Sequence, residues 1–234
     1  MLIATTNPGK LREIRQVLGV LPIALQSLAD FPSVPEPEET GLTFAENARL
    51  KAEYYATACG LPTVADDSGL VIDALGGRPG VGSARYPGAT YPDKFVNLYR
   101  ELEGHPRPWA ARFVCAVAFV DAAGQALGSG RSALGSPGKP RAESRDPRAK
   151  SGGPRAKSRE PGADFECEAA VEGEIAPAPR GAFGFGYDPI FYYPPYGCTL
   201  GEVDGEKKLA VAHRGKAFRM FAEWLKTLTA EGRA

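Results

Sequence analysis

Two adjacent carboxylates, Asp66 and Asp67, are residues whose types and spacing could do chemistry. They follow a short apolar run at residues 63–65, which predicts a buried strand. Ligands of α/β sheets bind at the carboxyl ends of strands, and two acidic side chains there repel each other unless a cation joins them. Because successive side chains of a strand point to opposite faces, we expect the two aspartates to have different functions. The alternative is that residues 66–69 form a polar turn before a second strand at residues 70–72.

A second candidate site lies near the N-terminus, where a predicted strand at residues 2–4 precedes Thr-Thr-Asn-Pro-Gly-Lys at residues 5–10. Asn7 is a good N-cap and Pro8 a good first helical residue, so a helix is predicted to begin here. A helix N-terminus directs N–H groups and partial positive charge at one point, which the threonine hydroxyls and the lysine ammonium could join. This combination suits phosphate. The loop is not a Walker A motif, and helix capping alone would also account for Asn7 and Pro8.

The acidic, proline-rich segment at residues 33–39 follows, and we expect it to be an exposed loop. Its glutamates would usually form a solvated charge run, but they could face a metal if the loop folded towards Asp67. A capping box at residues 43–46 then predicts the start of a helix. Asn47 and Lys51 are four residues apart on one face of that helix, and we expect them to be surface residues rather than ligands.

Alternating glycine and aromatic residues mark the segment Gly-Phe-Gly-Tyr-Asp at residues 184–188. Such a backbone combines points of close approach with flat apolar faces, which suits a planar heterocycle, and Asp188 could accept hydrogen bonds from ring N–H groups. The alternative is a tight bend with aromatic packing in the core. Further on, His213 and Arg214 precede a predicted C-terminal helix, either as a structural pair or as a polar clamp on a ligand.

Composition favours an ordinary globular protein. The 234 residues are 43% hydrophobic and 24% charged, with zero formal net charge, so nothing global favours nucleic acid or a membrane as partner. The long apolar run at residues 114–120 is far too short to span a bilayer, and the N-terminus lacks a signal-peptide pattern. The four cysteines are scattered without a CxxC, which predicts buried thiols in a reducing compartment. We therefore expect a cytoplasmic location.

The tract at residues 129–162 breaks this pattern. It is rich in Gly, Pro, Ser, Arg and Lys, and it contains a seven-residue repeat beginning at Arg141, Arg148 and Arg155. No position of the repeat is large and apolar, so the tract has nothing to bury and cannot form a coiled coil. We expect a disordered basic insertion at the tip of a hairpin, within an otherwise single two-lobed domain at residues 1–234.

Six segments in order carry a resemblance to a known family: ATTNPGK (residues 4–10), EETG with TFAENA (38–48), ADDSGL (65–70), SARY (83–86), GFGYDPIF (184–191) and AHRGKA (212–217). Together they resemble the non-standard purine nucleoside triphosphate pyrophosphatases, and the resemblance covers nearly the whole chain outside the insertion. It implies an elongated α/β fold, with a long mixed sheet flanked by helices and a cleft between two lobes. It also implies a homodimer that uses Mg²⁺ and splits ITP, dITP or XTP into the monophosphate and pyrophosphate.

The resemblance implies a role for each matching residue. Asp67 matches the general base that activates water and also serves the metal, and Glu39 matches the other metal-associated acid. The matching substrate contacts are a triphosphate loop, a serine, a base-reading segment and a closing polar clamp: Thr5, Thr6, Asn7, Pro8, Gly9 and Lys10; Ser68; Phe185, Gly186, Tyr187 and Asp188; Lys208, His213 and Arg214.

Two positions depart from the family pattern. Ala212 stands where the family usually has serine, and Lys207 stands where it usually has an acid. Both departures concern base selectivity rather than the reaction. The resemblance implies that His213 and Arg214 donate to the 6-oxo group of the base; how GTP would be rejected does not follow from the sequence.

Two other function classes stay open at this point. A nucleotide-binding regulatory module without turnover would share the same motifs, and a pyrophosphate-release assay distinguishes it from an enzyme. A nucleic-acid-binding protein would rest only on the basic insertion, and the net acidic remainder of the chain disfavours it.

Overall fold

The computed structural model describes residues 1–121 and 164–230, with side chains described as far as residue 228. Within these residues a mixed sheet of seven strands, in the order β2-β1-β3-β4-β5-β6-β7, is flanked by five α-helices. The strands are β1 (Leu2–Ala4), β2 (Gln26–Ser27), β3 (Thr63–Ile72), β4 (Ala110–Val120), β5 (Phe165–Ile175), β6 (Phe191–Tyr193) and β7 (Cys198–Thr199). The helices are α1 (Pro8–Leu18), α2 (Phe44–Cys59), α3 (Tyr91–Leu102), α4 (Gly205–Val211) and α5 (His213–Ala230).

Local capping signals set the starts of α1 and α2, as the sequence predicts. The Asn7 side chain accepts hydrogen bonds from the backbone N–H groups of Gly9 and Lys10, and Pro8 is the first residue of α1. Thr43 and Glu46 form the predicted reciprocal capping box of α2. These bonds satisfy backbone donors that have no partner inside a helix, so the boundaries follow from nearby residues alone.

The prediction that a strand ends at the two aspartates was wrong, and so was the alternative of a turn at residues 66–69. The strand β3 continues without a break from Thr63 to Ile72. The cause is long-range pairing: β4 pairs with β3 along this whole length, from Thr63 opposite Val120 to Ile72 opposite Ala111. Tertiary pairing of this kind overrides the weak extended-state preference of Asp, Ser and Gly.

The alternation of side chains along β3 was predicted correctly, because Asp66 and Asp67 face opposite sides of the sheet. Asp66 lies on the side of Val64, which packs in the core beneath α1 and α5. Asp67 lies on the side of Ala65, which packs in the core beneath α2. The one strand therefore presents a carboxylate to each of two separate helical layers.

A third apolar cluster fills the other half of the molecule. It joins the ends of β3, β4 and β5 to α3 and to the segment before β6. The half that contains the other two clusters carries β1, α1 and α2. The two halves meet along β3 and β4. This arrangement confirms the predicted α/β fold with a long mixed sheet flanked by helices.

Three smaller expectations have different outcomes. Cys115 and Cys167 are buried free thiols as predicted, but Cys59 and Cys198 are only partly buried. Among the described helices, none combines the length and the apolar character needed to cross a bilayer. The predicted disordered insertion, residues 129–162, lies outside the described residues. The strands on either side of it are antiparallel neighbours, with Phe119 opposite Phe165.

Removal of the insertion gives a first prediction. Because β4 and β5 hold the two ends together and loop-closure entropy changes slowly with loop length, replacing residues 129–162 by Asn-Gly should change the free energy of unfolding by no more than about 1–2 kcal/mol. We also predict that turnover stays within about threefold, because surface connections tolerate insertions and deletions. Urea denaturation and steady-state kinetics measure both quantities. A variant with a Gly/Ser linker of the original length is the control, and a folded deletion variant without turnover would contradict the prediction.

Candidate active site

A cavity of about 580 Å³ lies between the two halves of the molecule. It is lined by the β1–α1 loop, the acidic loop before α2, the middle of β3, the 185–188 segment and the α4–α5 junction. All the predicted site residues line it except Pro8 and Gly9. The fold therefore brings together residues that are up to about two hundred positions apart in the chain. Such convergence is typical of sites built on loops of a rigid scaffold.

The β1–α1 loop presents side chains rather than helix amides to this cavity. The N–H groups of Gly9 and Lys10 donate to Asn7 Oδ1 at 2.9 and 3.1 Å, and Pro8 has no N–H group. Asn7 and Pro8 thus act as helix-capping residues, although Asn7 also lines the cavity. What remains for an anion is the positive end of α1, together with the Thr5 and Thr6 side chains and the Lys10 ammonium.

Asp66 is fully buried between two cations. Its Oδ2 lies 3.1 Å from Lys10 Nζ and 3.3 Å from Arg214 Nε, and the Cys115 thiol donates to the same oxygen at 3.8 Å. Burial alone would raise the pKa of Asp66, but Lys10 and Arg214 hold its pKa well below the ordinary value. Asp66 Oδ1 is buried without a hydrogen-bond partner. Asp66 is thus an ionised anchor for two cavity-lining cations and does not itself line the cavity.

Asp67 has a different environment on the other face of β3. Asn47 Nδ2 donates to Oδ2 at 3.3 Å and Lys51 Nζ donates to Oδ1 at 3.3 Å. Burial raises the pKa of Asp67 above its ordinary value, and the attraction of Lys51 and Lys10 offsets only part of that effect. A carboxylate that lines a cavity with a raised pKa is a better proton acceptor than an exposed aspartate.

The expectation that Asn47 and Lys51 are surface residues was wrong. Asn47 is fully buried, and its side chain bridges the Gly41 N–H group to Asp67. The Lys51 side chain is 13% exposed and lies in the cavity wall. Their four-residue spacing placed them on one helix face as predicted, but that face packs on β3, where both side chains donate to the carboxylate of Asp67. The spacing showed that the two side chains share a helix face, but it did not show whether that face points to solvent or to the sheet.

Glu39 reaches the same cation as Asp67. Its Oε1 lies 2.7 Å from Lys51 Nζ, and its Oε2 accepts from Arg85 Nη1 at 2.8 Å. Burial would raise the pKa of Glu39, but hydrogen bonds and attraction from Lys51 and Arg85 keep it below the ordinary value.

The two carboxylates Glu39 and Asp67 fit the Mg²⁺ implied by the family resemblance. They converge on one positive group, the Lys51 ammonium, at 2.7 and 3.3 Å. Within the described ranges, no set of three or more His, Cys, Asp and Glu side chains is grouped to hold a metal. A pair of carboxylates is what Mg²⁺ uses when substrate phosphates complete its ligands, in contrast to ions held by an all-protein cage.

A buried ion network, which the sequence did not predict, supports the cavity at the α4–α5 junction. Glu13 of α1 pairs with Lys208 Nζ at 2.8 Å and with Arg214 Nη1 at 2.6 Å. Arg214 Nη2 also donates to Ser68 Oγ at 2.7 Å. Attraction to the two cations keeps the pKa of Glu13 below its ordinary value despite the opposing effect of burial. Glu13 follows Lys10 by three positions on the same helix face, and a carboxylate beside apolar Ile14 was the only signal for it.

The segment at residues 185–188 has buried supporting residues and a more accessible aromatic ring. Asp188 is buried, and its Oδ2 accepts from the Phe185 N–H group at 2.7 Å and from Lys208 Nζ. Tyr187 is buried too; its hydroxyl donates to the Ser83 carbonyl at 2.9 Å and its ring packs edge-on against Tyr91. The alternative of aromatic core packing therefore describes Tyr187. The Phe185 ring contacts the cavity and lies 4.3 Å from Lys208 Nζ.

His213 opens α5 at the floor of this region. Its ring stacks on Phe113 with centroids 4.9 Å apart, and its Nδ1 is buried without a hydrogen-bond partner. Burial, together with the positive charges of Arg214 and Lys208, holds the pKa of His213 well below its ordinary value. The imidazole is therefore neutral at physiological pH, with one nitrogen still to be satisfied.

Comparison with known proteins gives consistent matches. The chain matches the Ham1 family over residues 1–133 and 155–224. It is 40% identical to the dITP/XTP pyrophosphatase of Geobacillus kaustophilus, covering 100% of this chain and 98% of that one, and 41% identical to the dITP/XTP pyrophosphatase of Geobacter sulfurreducens, covering 96% of each. Among solved structures, a HAM1 protein from Coxiella burnetii superposes with a TM-score of 0.75 at 36% identity, covering 97% of this chain and 98% of that one.

The buried network around Glu13 gives a second prediction. Glu13→Gln keeps the shape of the side chain but leaves Lys208 and Arg214 with too little negative charge, so unfolding should become easier by about 3–5 kcal/mol. Chemical denaturation at neutral pH measures this difference. The matched control is Glu223→Gln, whose exposed pair with Lys226 should cost less than about 1 kcal/mol. Equal effects of the two substitutions would contradict the prediction.

Proposed function

The chain belongs to the Ham1 family, and we propose that it hydrolyses ITP, dITP and XTP to the corresponding monophosphate and pyrophosphate. The observation that carries this proposal is the content of one cavity. A carboxylate with a raised pKa, a lysine at the positive end of a helix and an aromatic ring beside a neutral histidine all line it. These are the parts needed for a nucleophilic water, a triphosphate and a purine base.

Triphosphate binding is assigned to the β1–α1 loop. Lys10 lies at the cavity wall, held 3.1 Å from Asp66, so its ammonium is positioned before any ligand arrives. The hydroxyls of Thr5 and Thr6 line the same wall and can donate to phosphate oxygens. Positive charge fixed in advance stabilises the negative charge that develops during phosphoryl transfer, because little reorganisation is needed at the moment of reaction.

Water activation is assigned to Asp67. Its carboxylate lines the cavity, and the amide of Asn47 and the ammonium of Lys51 hold its two oxygens in one orientation. A fixed carboxylate with a raised pKa can accept a proton from a water molecule that attacks phosphorus. For monophosphate and pyrophosphate to form, the water attacks the α-phosphorus, the bond from this phosphorus to the α–β bridging oxygen breaks, and pyrophosphate leaves with that oxygen.

The proposal includes Mg²⁺, which Glu39 and Asp67 would hold together with the substrate phosphates. When bound, the ion would neutralise phosphate charge and act as a Lewis acid on the phosphoryl group. Lys51 contacts both carboxylates, so its own positive charge compensates their repulsion in the ligand-free protein.

Base selection is assigned to the part of the cavity formed by Phe185 and the α4–α5 junction. Lys208 and Arg214 can only donate hydrogen bonds, and both line the cavity. A 6-oxo purine offers an acceptor at position 6, whereas adenine offers an amino group that would face donors. His213 also lines the cavity, and its neutral ring carries one N–H group that can donate to the same acceptor. An unmatched buried polar group costs about 1–3 kcal/mol, which is enough for a useful discrimination.

The proposal also covers the single two-lobed domain at residues 1–234, a homodimer and a cytoplasmic location, as the family resemblance implies. The second candidate, a nucleotide-binding module without turnover, predicts the same cavity but gives no reason for a carboxylate with a raised pKa in its wall.

A third prediction tests the role of Asp67. Asp67→Asn keeps the side-chain shape and one of the two acceptor oxygens that Asn47 and Lys51 use, but it removes the base, so kcat should fall by at least about 10²-fold. Nucleotide affinity should stay within about tenfold, because the phosphate and base walls are unchanged. Pyrophosphate release and nucleotide titration measure the two quantities. Asp73→Asn, at an exposed carboxylate paired with Arg112, is the control, and near-normal kcat in Asp67→Asn would remove the residue from this role.

A fourth prediction tests the substrate and the base wall. The protein should turn over ITP, dITP and XTP far faster than ATP or GTP, and chelation of Mg²⁺ should stop the reaction. His213→Phe keeps a ring stacked on Phe113 but removes both ring nitrogens, so the preference for ITP over ATP should fall at least about tenfold. The control is His105→Phe, at the other histidine of the chain. Equal rates with ATP and ITP in the unchanged protein would overturn the substrate assignment.

A further inference from the structure

Gly9, the second residue of α1, is a predicted phosphate contact whose residue type the phosphate site does not explain. It does not line the cavity, and its N–H group is used by the Asn7 cap. It lies inside α1, where glycine is less favourable than alanine by about 0.5–1 kcal/mol and no turn requires it. Some other contact must therefore account for the missing side chain.

That contact is the ring of Phe185, which belongs to the base-reading segment. A Cβ atom added to Gly9 would lie 2.7 Å from both Cδ1 and Cγ of Phe185 and 2.9 Å from Cε1. These separations are far below the optimal carbon–carbon separation of about 3.5–4.0 Å. The first turn of α1 and the ring that faces the cavity are thus in direct contact, and only a residue without a side chain leaves room for the ring.

The Phe185 ring has little freedom to move away from Gly9. Its own N–H group donates to Asp188 Oδ2 at 2.7 Å, and its flanking residues Gly184 and Gly186 have φ angles of 74° and 67° that other residues rarely adopt. Lys208 Nζ lies 4.3 Å from the ring centroid. An added methyl group would therefore shift the ring itself, because the backbone behind it is pinned to a buried carboxylate.

We propose that Gly9 is a positioning residue of the base subsite: it seats the Phe185 ring against α1 and thereby sets the plane on which a purine base stacks. This inference rests on the proposed function and deepens it. It also reassigns Gly9, which the family resemblance places among the phosphate contacts. The phosphate loop and the base-reading ring are then one continuous surface, so the distance between triphosphate and base is fixed by a van der Waals contact.

Gly9→Ala is expected to separate the two subsites. The Asn7 cap and Lys10 are unchanged, so competitive inhibition by inorganic tripolyphosphate, which has no base, should keep its inhibition constant within about twofold. The KM for ITP should rise about tenfold while kcat stays within about threefold, because a displaced stacking ring weakens ground-state and transition-state binding alike. The matched control is Gly205→Ala at the start of α4, where an added Cβ meets nothing within 4 Å.

A double-mutant cycle with Phe185→Ala assigns the effect to the contact. In the Phe185→Ala background, adding Gly9→Ala should leave the KM for ITP within about twofold. The effects of two substitutions are coupled when the side chains are in contact, and here the Phe185 ring has been removed. Thermal denaturation gives a readout that does not depend on activity. Gly9→Ala should lower the midpoint in the Phe185 protein and raise it in the Phe185→Ala protein, where only the gain in helix propensity remains.

The outcomes separate this inference from the proposed function. Unchanged KM for ITP in Gly9→Ala, or an equal rise in the tripolyphosphate inhibition constant, would overturn the positioning role while the pyrophosphatase activity stood. A protein that failed to hydrolyse ITP would overturn the proposed function, and the denaturation cycle would still report on the Gly9–Phe185 contact. Additive effects of the two substitutions on the midpoint would show that the contact does not exist.

Discussion

The ion pairs of Asp66 are the interaction on which the rest of the structure depends. This carboxylate is buried in the middle of β3, and it holds Lys10 of α1 and Arg214 of α5 within 3.3 Å. An uncompensated charge at such a position carries a penalty of several kcal/mol, so the Asp66 carboxylate favours the docking of both helices onto β3. Lys10 and Arg214 also line the cavity. The interaction that closes the core therefore also places fixed positive charge in the site.

The geometry of a strand then separates chemistry from support. Because neighbouring side chains of β3 face opposite sides, Asp67 lies away from these two cations, in a layer formed by α2. Asp66 has a lowered pKa and Asp67 a raised one, although they are adjacent in the chain and share the same strand. Pairs of carboxylates whose environments move their pKa values apart commonly divide two roles between them. Under the proposed function, Asp66 holds cations and Asp67 accepts a proton.

The features that sequence predicted are those determined by near neighbours. Three features depend on residues that are close together in the chain: the Asn7 cap, the Thr43 capping box and the opposite faces of the two aspartates. The features it missed depend on distant partners. Glu13 pairs with Arg214 across 201 positions, and β3 continues through its Asp-Ser-Gly segment only because β4 pairs with it. The roles proposed for Glu39 and Asp67 come from the family resemblance. Local rules alone could not decide whether these carboxylates belong to a site or to an ordinary polar segment.

The division of roles between Asp66 and Asp67 is the central claim, and their unfolding free energies test it most directly. Asp66→Asn should cost about 3–5 kcal/mol at neutral pH, because it leaves Lys10 and Arg214 without their shared buried anion. An acid whose pKa is raised on folding opposes folding once pH exceeds its unfolded pKa, so Asp67→Asn should leave stability unchanged or increased at the same pH. A loss in Asp67→Asn as large as that in Asp66→Asn would contradict the account.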